Sequence, residues 1–493
     1  MTLLKWRALG QRSAYYGFLF LCIFLSSANA PIRAQPATPP QNLLPPPPAV
    51  QPRAPIPNAS APLFLAQPPS ANGRAAISGL NSAREVIRAI LGLVALLALA
   101  YLGGHPKVQN LERRLGISHL VTVGLPFVIL GAVAHLPAVG ILSDALLYEI
   151  RPLLVLGLGW IGLSVGYRFN TKLVEALSPG MSTAGIVTAA VPFALVFLAC
   201  GLWFALTQRS LAGSAFFRDA ILLGTAGAMT ARSAPLILKG LGEDTRAVRR
   251  IWSVVEVEQI TGVAGLMLVA AYFRPQGALV SWQLPGTAWL FITLGVGTTM
   301  GVLIHGVFGK IKSGPEFSLL LLGSVAFTAG IASFLRLSPI VVCFIAGVVM
   351  VNLPGGPKPQ VREALLHLER PVYLLFLVVV GSLWQGWEWQ GWTLMVLFVA
   401  ARLLGKWVSV LLCQRSGVSA LEPSERTTLV FGPVGALSIA IVVNAQDLYL
   451  GPTIPWMITA VVGGAIVTEV IVQTSTMRRR QAPPDTNQIL GQA

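Results

Sequence analysis

From about residue 86 onward, apolar windows long enough to cross a bilayer recur almost to the end of the chain. They lie at residues 86–104, 117–136, 152–169, 181–206, 216–238, 251–273, 287–309, 317–335, 339–351, 372–383, 392–413, 427–444 and 454–473. Lipid offers no water to a backbone N–H or C=O, so windows of this kind fold as helices that close their own hydrogen bonds. The pattern predicts an all-α polytopic membrane protein of about thirteen transmembrane helices. Composition agrees: 54% of the 493 residues are hydrophobic and 11% charged, with a mean hydropathy of +0.70, more apolar surface than a soluble domain can bury.

A formal charge of +16 invites a nucleic-acid reading, but the positions of the charges exclude it. Lys107, Arg113 and Arg114, then Arg168 and Lys172, then Lys239, Arg246, Arg249 and Arg250 fall between alternate windows. Lys310, Lys312, Lys358, Arg362 and Arg415 continue the alternation, and Arg478, Arg479 and Arg480 open the tail. Asp144, Glu149, Glu388 and Asp447 occupy the intervening loops. The positive-inside rule places the basic loops and the C-terminus in the cytoplasm and the N-terminus outside.

Lys5, Arg7 and Arg12 precede an apolar core at residues 14–25 and the small residues Ser26, Ser27 and Ala28, the pattern of a signal peptide over residues 1–30. Residues 31–82, with Pro45 to Pro48 in a row, predict a disordered periplasmic tether. A transmembrane domain over 83–476 and a short basic cytoplasmic tail over 477–493 complete the organisation expected of a bacterial inner-membrane protein. Cys22, Cys200, Cys343 and Cys413 show no disulfide or zinc spacing and read as packing residues.

Charge inside an apolar window is costly and marks an ion or proton pathway. Glu258, flanked by Glu256 and Gln259, lies within 251–273, and Arg232 stands between Thr230 and Ser233 near the end of 216–238. Two windows are interrupted alike. One carries Gly224 and Gly227 and runs to Pro235, and the other carries Gly432, Pro433 and Gly435. Interrupted helices at corresponding places in two inverted halves point to a transporter's midplane site, where freed backbone groups and helix-dipole ends meet an ion. Gly297 and Gly301, at GxxxG spacing, read as packing residues.

With Gly224 to Leu238, Ser253 to Gly262, Leu337 to Gly347 and Phe376 to Gly381 in this order, the chain resembles the membrane domain of the cation:proton antiporters, the sodium/hydrogen exchanger superfamily, in its Kef/Nap-like branch. The resemblance spans roughly residues 86–474. It implies inverted three-helix repeats over 181–273 and 392–473 with two discontinuous crossing helices, a scaffold domain from the remaining helices, and a homodimer. It also implies a carrier Asp in the helix after the first broken one, at the position of Gln259, which cannot ionise. The role is therefore lost or moved to Glu258, one residue and about 100° away but with a longer side chain able to face the same cavity, while Glu256 points away from it. Thr230 and Ser233 match a polar cluster of the family, with Arg232 intruding, and Arg402, with Lys406 one turn later, matches a basic residue before the second broken helix.

Arg232 has two readings: it pairs with Glu258 and locks it ionised, or it snorkels and leaves Glu258 in an apolar bundle as a proton relay. His135 and His305 read as locally hydrogen-bonded. Glu469, with Thr468, reads as snorkelling, and Trp384, Trp387, Trp389 and Trp392 as an interfacial belt. No Walker loop or GxSxG elbow is present, so neither an enzyme nor a cofactor is expected, and no metal beyond a transported Na+ or K+. The sequence-based expectation is a secondary-active monovalent cation:proton antiporter-like transporter working by alternating access, with Glu258 as the titrating carboxylate. A proton-coupled anion carrier and a non-transporting scaffold that keeps the fold stand as alternatives.

Overall fold

The computed structural model describes residues 125–136, 142, 147, 150–170, 179–207, 213–234, 246–274, 284–309, 315–355, 358–384, 388–416, 422–449 and 451–481. The expected signal peptide, the tether, the first window, part of the second and the end of the tail lie outside these residues. The described residues form helices and no strand: α1 (Leu125–His135), α2 (Arg151–Tyr167), α3 (Pro179–Thr207), α4 (Gly213–Ala228), α5 (Arg246–Tyr272), α6 (Gly286–Phe308) and α7 (Pro315–Phe334). After them come α8 (Pro339–Asn352), α9 (Lys358–Ser382), α10 (Trp389–Arg415), α11 (Pro423–Phe431), α12 (Ala436–Leu448) and α13 (Ile454–Gln481).

Among the described residues, eight helices are long and apolar enough to cross a membrane, α11 and α12 counting together as one; α2 and α8 are apolar but shorter. The expectation of about thirteen spans is therefore not reached here. One window also proves too short: α9 begins at Lys358, well ahead of residue 372, because Arg362, Glu363 and Glu369 lower local hydropathy without interrupting the helix, which continues through Pro371.

Local signals set the helix starts. Ser338 caps α8 by accepting from Val341 N–H at 3.4 Å, with Pro339 in the first turn. Glu422 and Glu425 form a capping box before α11.

Packing sorts the helices into two groups. In one, α3 lies against α4, α5 and α10, and α13 against α10 and α12; in the other, α8 lies against α2 and α6, and α9 against α1 and α2. The first group repeats one pattern twice, a long helix, an interrupted helix and a long helix. Glycines bring the second group close: a Cβ on Gly162 would lie 2.3 Å from the Ile340 carbonyl oxygen, and one on Gly166 2.1 Å from that of Phe344. Gly297 and Gly301 give α6 the same approach to α8, where an added Cβ would meet Ile345 and Ala346 at 2.7 Å.

Candidate ion site at the crossing of the interrupted helices

α4 ends at Ala228 and residues 229–231 are not helical; α11 ends at Phe431, residues 432–435 are not helical, and the helix resumes as α12. The two non-helical stretches meet, with Ala231 N–H donating to the Pro433 carbonyl at 2.9 Å. Gly432 is required by contact, since a Cβ there would stand 2.3 Å from the Thr230 methyl. Thr468 of α13 steadies the second break by accepting from Val434 N–H at 3.2 Å. A helix end leaves carbonyls without partners and carries negative dipole charge, and here α10 supplies the cations. Arg402, fully buried, donates to the Met229 carbonyl at 2.7 Å and the Pro433 carbonyl at 3.4 Å.

Lys406, also fully buried, places its ammonium among three oxygens: Glu258 Oε1 at 2.7 Å, the Ala228 carbonyl at 2.7 Å and the Thr188 carbonyl at 3.1 Å. Two of these oxygens come from interrupted hydrogen-bond ladders. Ala228 is the last residue of α4, and Thr188 lies four residues before Pro192 of α3, which has no N–H to give it. Glu258 is 0% exposed, and its second oxygen has no hydrogen-bond partner among the described residues.

Arg232 does not reach Glu258. It stands 3.6 Å from Glu256 Oε1 and stacks over Trp252 with 4.5 Å between guanidinium carbon and ring centroid. Helical geometry accounts for this. Glu256 and Gln259, three residues apart, lie about 60° apart around α5 and face Arg232 and the crossing, whereas Glu258 is turned about 100° from Gln259 toward α10. Glu258 therefore does not line the cavity beside Gln259, and Glu256, although next to Arg232, does not line it either. Arg402 donates to carbonyls, and it is Lys406, one turn later on α10, that holds the Glu258 carboxylate.

On the Gln259 side lies a cavity of about 380 Å³ lined by Thr230, Arg232, Ser233, Gln259, Gly435 and Ser438, with Arg168 and Glu369, themselves paired at 2.7 Å, on another wall. Gly224 and Gly227 pack instead against Phe193 and Val196 of α3. Glu469 is fully buried in α13, not placed at the surface as a snorkelling side chain would be. His135 makes a local contact of 3.0 Å to the Leu142 carbonyl, and Trp384 donates to Thr459 at 3.1 Å. Sequence reasoning missed Thr188 and Ala228, and it missed the role of Thr468 at the second break. Pro192 in mid-window was the one available signal, since a proline inside a helix always frees a carbonyl.

The sequence profile of the family described as "Sodium/hydrogen exchanger, transmembrane" matches residues 94–479. A comparison with curated protein sequences finds no match. Among solved structures, the sodium proton antiporter MjNhaP1 from Methanocaldococcus jannaschii at pH 8 is similar with a TM-score of 0.55 at 16% identity, covering 79% of this chain and 100% of that one. An electron-microscopy structure of the same antiporter has a TM-score of 0.51 at 15% identity, over 80% of this chain and 99% of that one. At such identity the likeness shows the fold.

Proposed function

The chain belongs to the sodium/hydrogen exchanger family, and from that membership we propose that it exchanges a monovalent cation, Na+ or K+, for protons by alternating access, with Glu258 as the titrating carboxylate. Family and fold are those of a multi-pass membrane transporter and not of an enzyme. The observation that carries the mechanism is the Lys406 ammonium held by one carboxylate and two backbone carbonyls at 2.7–3.1 Å. These are oxygen ligands of the kind a dehydrated alkali ion also takes, two of them backbone dipoles released by broken helices.

In this mechanism the ammonium occupies the site in the absence of the transported ion. An entering cation displaces Lys406 from Glu258, and protonation of Glu258 releases either partner, so that proton and cation alternate on one carboxylate. The protein works as a homodimer in the bacterial inner membrane, with its N-terminus outside and its C-terminus in the cytoplasm.

A second reading rests on the same lysine: with three acceptors for its three N–H groups, the ammonium is fully satisfied, as a locked structural network would require. Proton flux in proteoliposomes loaded with a pH-sensitive dye separates the two. Addition of Na+ or K+ is expected to dequench the wild type and to leave Glu258→Gln silent. A well-folded wild type that responds to no cation, or a Glu258→Gln variant that responds normally, refutes exchange at Glu258 and supports the scaffold.

A further inference from the structure

The crossing divides helix-terminal charge between the two faces of α5. The C-terminal ends, with their carbonyls at Ala228, Met229 and Pro433, are covered by Lys406 and Arg402 on the α10 side. The N-terminal end of α12 opens the other way, since Gly435, Ala436, Leu437 and Ser438 line the cavity. A helix N-terminus presents unbonded N–H groups and positive dipole charge. Two buried hydroxyls add donors to it. Those of Thr230 and Ser438 line the same cavity without hydrogen-bond partners among the described residues, at 1% and 0% exposure, while the Gln259 side-chain oxygen, also unpartnered, can only accept.

Arg232 completes the wall. Its guanidinium stands 3.6 Å from Glu256, beyond an ordinary N–H···O bond, and no side-chain hydrogen bond of Arg232 occurs among the described residues, which leaves its fork of donors unspent. Arg168 carries a second positive charge on the cavity, and Glu369, the one acidic side chain lining it, is engaged by Arg168. Each of the two guanidinium groups on the cavity has a carboxylate beside it, Glu256 by Arg232 and Glu369 by Arg168, and 380 Å³ is far more space than an alkali ion needs. Trp160, Ile161, Leu366 and Leu374 supply an apolar wall suited to a carbon skeleton.

We propose that this cavity is a binding site for a small organic carboxylate, which places its carboxylate between Arg232 and the N-terminus of α12 and its apolar part against Trp160 and Leu374. The site is separate from Glu258 and Lys406, so it does not depend on cation exchange there. The pairing is a charge-assisted, fork-shaped contact of the kind guanidinium provides and an ammonium does not.

The test is equilibrium dialysis of the purified full chain in detergent against radiolabelled benzoate, with benzamide as the uncharged counterpart. The assay contains no cation gradient, so failed cation exchange leaves its outcome intact. Saturable benzoate binding is expected, at least about tenfold weaker for benzamide and in Arg232→Ser, and several-fold weaker in Ser438→Ala. Should Arg232→Ser not fold, wild-type protein treated with phenylglyoxal decides, because bound benzoate is expected to slow modification of Arg232 as read by peptide mass spectrometry. Absence of saturable binding, equal binding of benzamide, full affinity in Arg232→Ser, or no protection of Arg232 would each overturn the assignment.

Discussion

Replacing Lys406 with methionine keeps the length of the side chain and removes its charge. The structure specifies what is left behind: a Glu258 carboxylate at 0% exposure whose second oxygen already lacks a partner, and two carbonyls, Ala228 and Thr188, deprived of their 2.7 and 3.1 Å donor. Removing one partner of a buried pair costs about 3–5 kcal/mol. Each orphaned buried carbonyl adds about 1–3 kcal/mol before relaxation. The three losses share one ammonium and do not add in full, so a destabilisation of at least about 3 kcal/mol is expected.

Adding Glu258→Gln removes the stranded charge and is expected to recover at least about 1 kcal/mol, a coupling in the range of groups in direct contact. Thermal unfolding of both variants in detergent, in a Cys22→Ala background, reads this through Cys200, Cys343 and Cys413, which are buried in the folded protein and label with a thiol-reactive dye as it opens. A fall of several degrees for Lys406→Met and partial recovery in the double variant is the expected outcome. A single variant as stable as the wild type, or a double variant less stable than the single, would refute the reasoning, because the pair would then not be the buried, mutually dependent unit that the geometry describes.

Thr468→Val preserves volume but removes the acceptor of Val434 N–H, and a loss of about 1–2 kcal/mol is expected, seen as a lower unfolding temperature with native folding retained. Gly166→Leu forces a side chain against the Phe344 carbonyl, where even a Cβ would approach to 2.1 Å, so most of the protein should run as aggregate in size-exclusion chromatography. In a Cys22→Ala background, the three buried thiols should resist a membrane-permeant maleimide until the protein is denatured in SDS, as judged by intact-mass analysis.

Much of the membrane architecture is readable along the chain because its physics is local. Whether a segment of some twenty residues enters lipid depends on its own side chains, and a glycine-proline interruption declares itself where it occurs. Residues 251–273 and the breaks near Gly227 and Gly432 were legible for that reason. Where the local rule weakens, so does the reading: the start of α9, charged but still helical, fell outside its window. Charge pairing is different, because it depends on which faces of distant helices are brought together. Glu258 and Lys406 lie 148 residues apart, and only the packing of α3, α5 and α10 sets the ammonium against the carboxylate and against the carbonyl that Pro192 releases. One residue of rotation along α5 separates Gln259 in the cavity from Glu258 in the buried pair. The sequence by itself determined that the chain crosses a membrane and carries charge at two broken helices; the tertiary structure alone decided which charges meet, since helix rotation and approach are set by contacts between segments far apart in the chain.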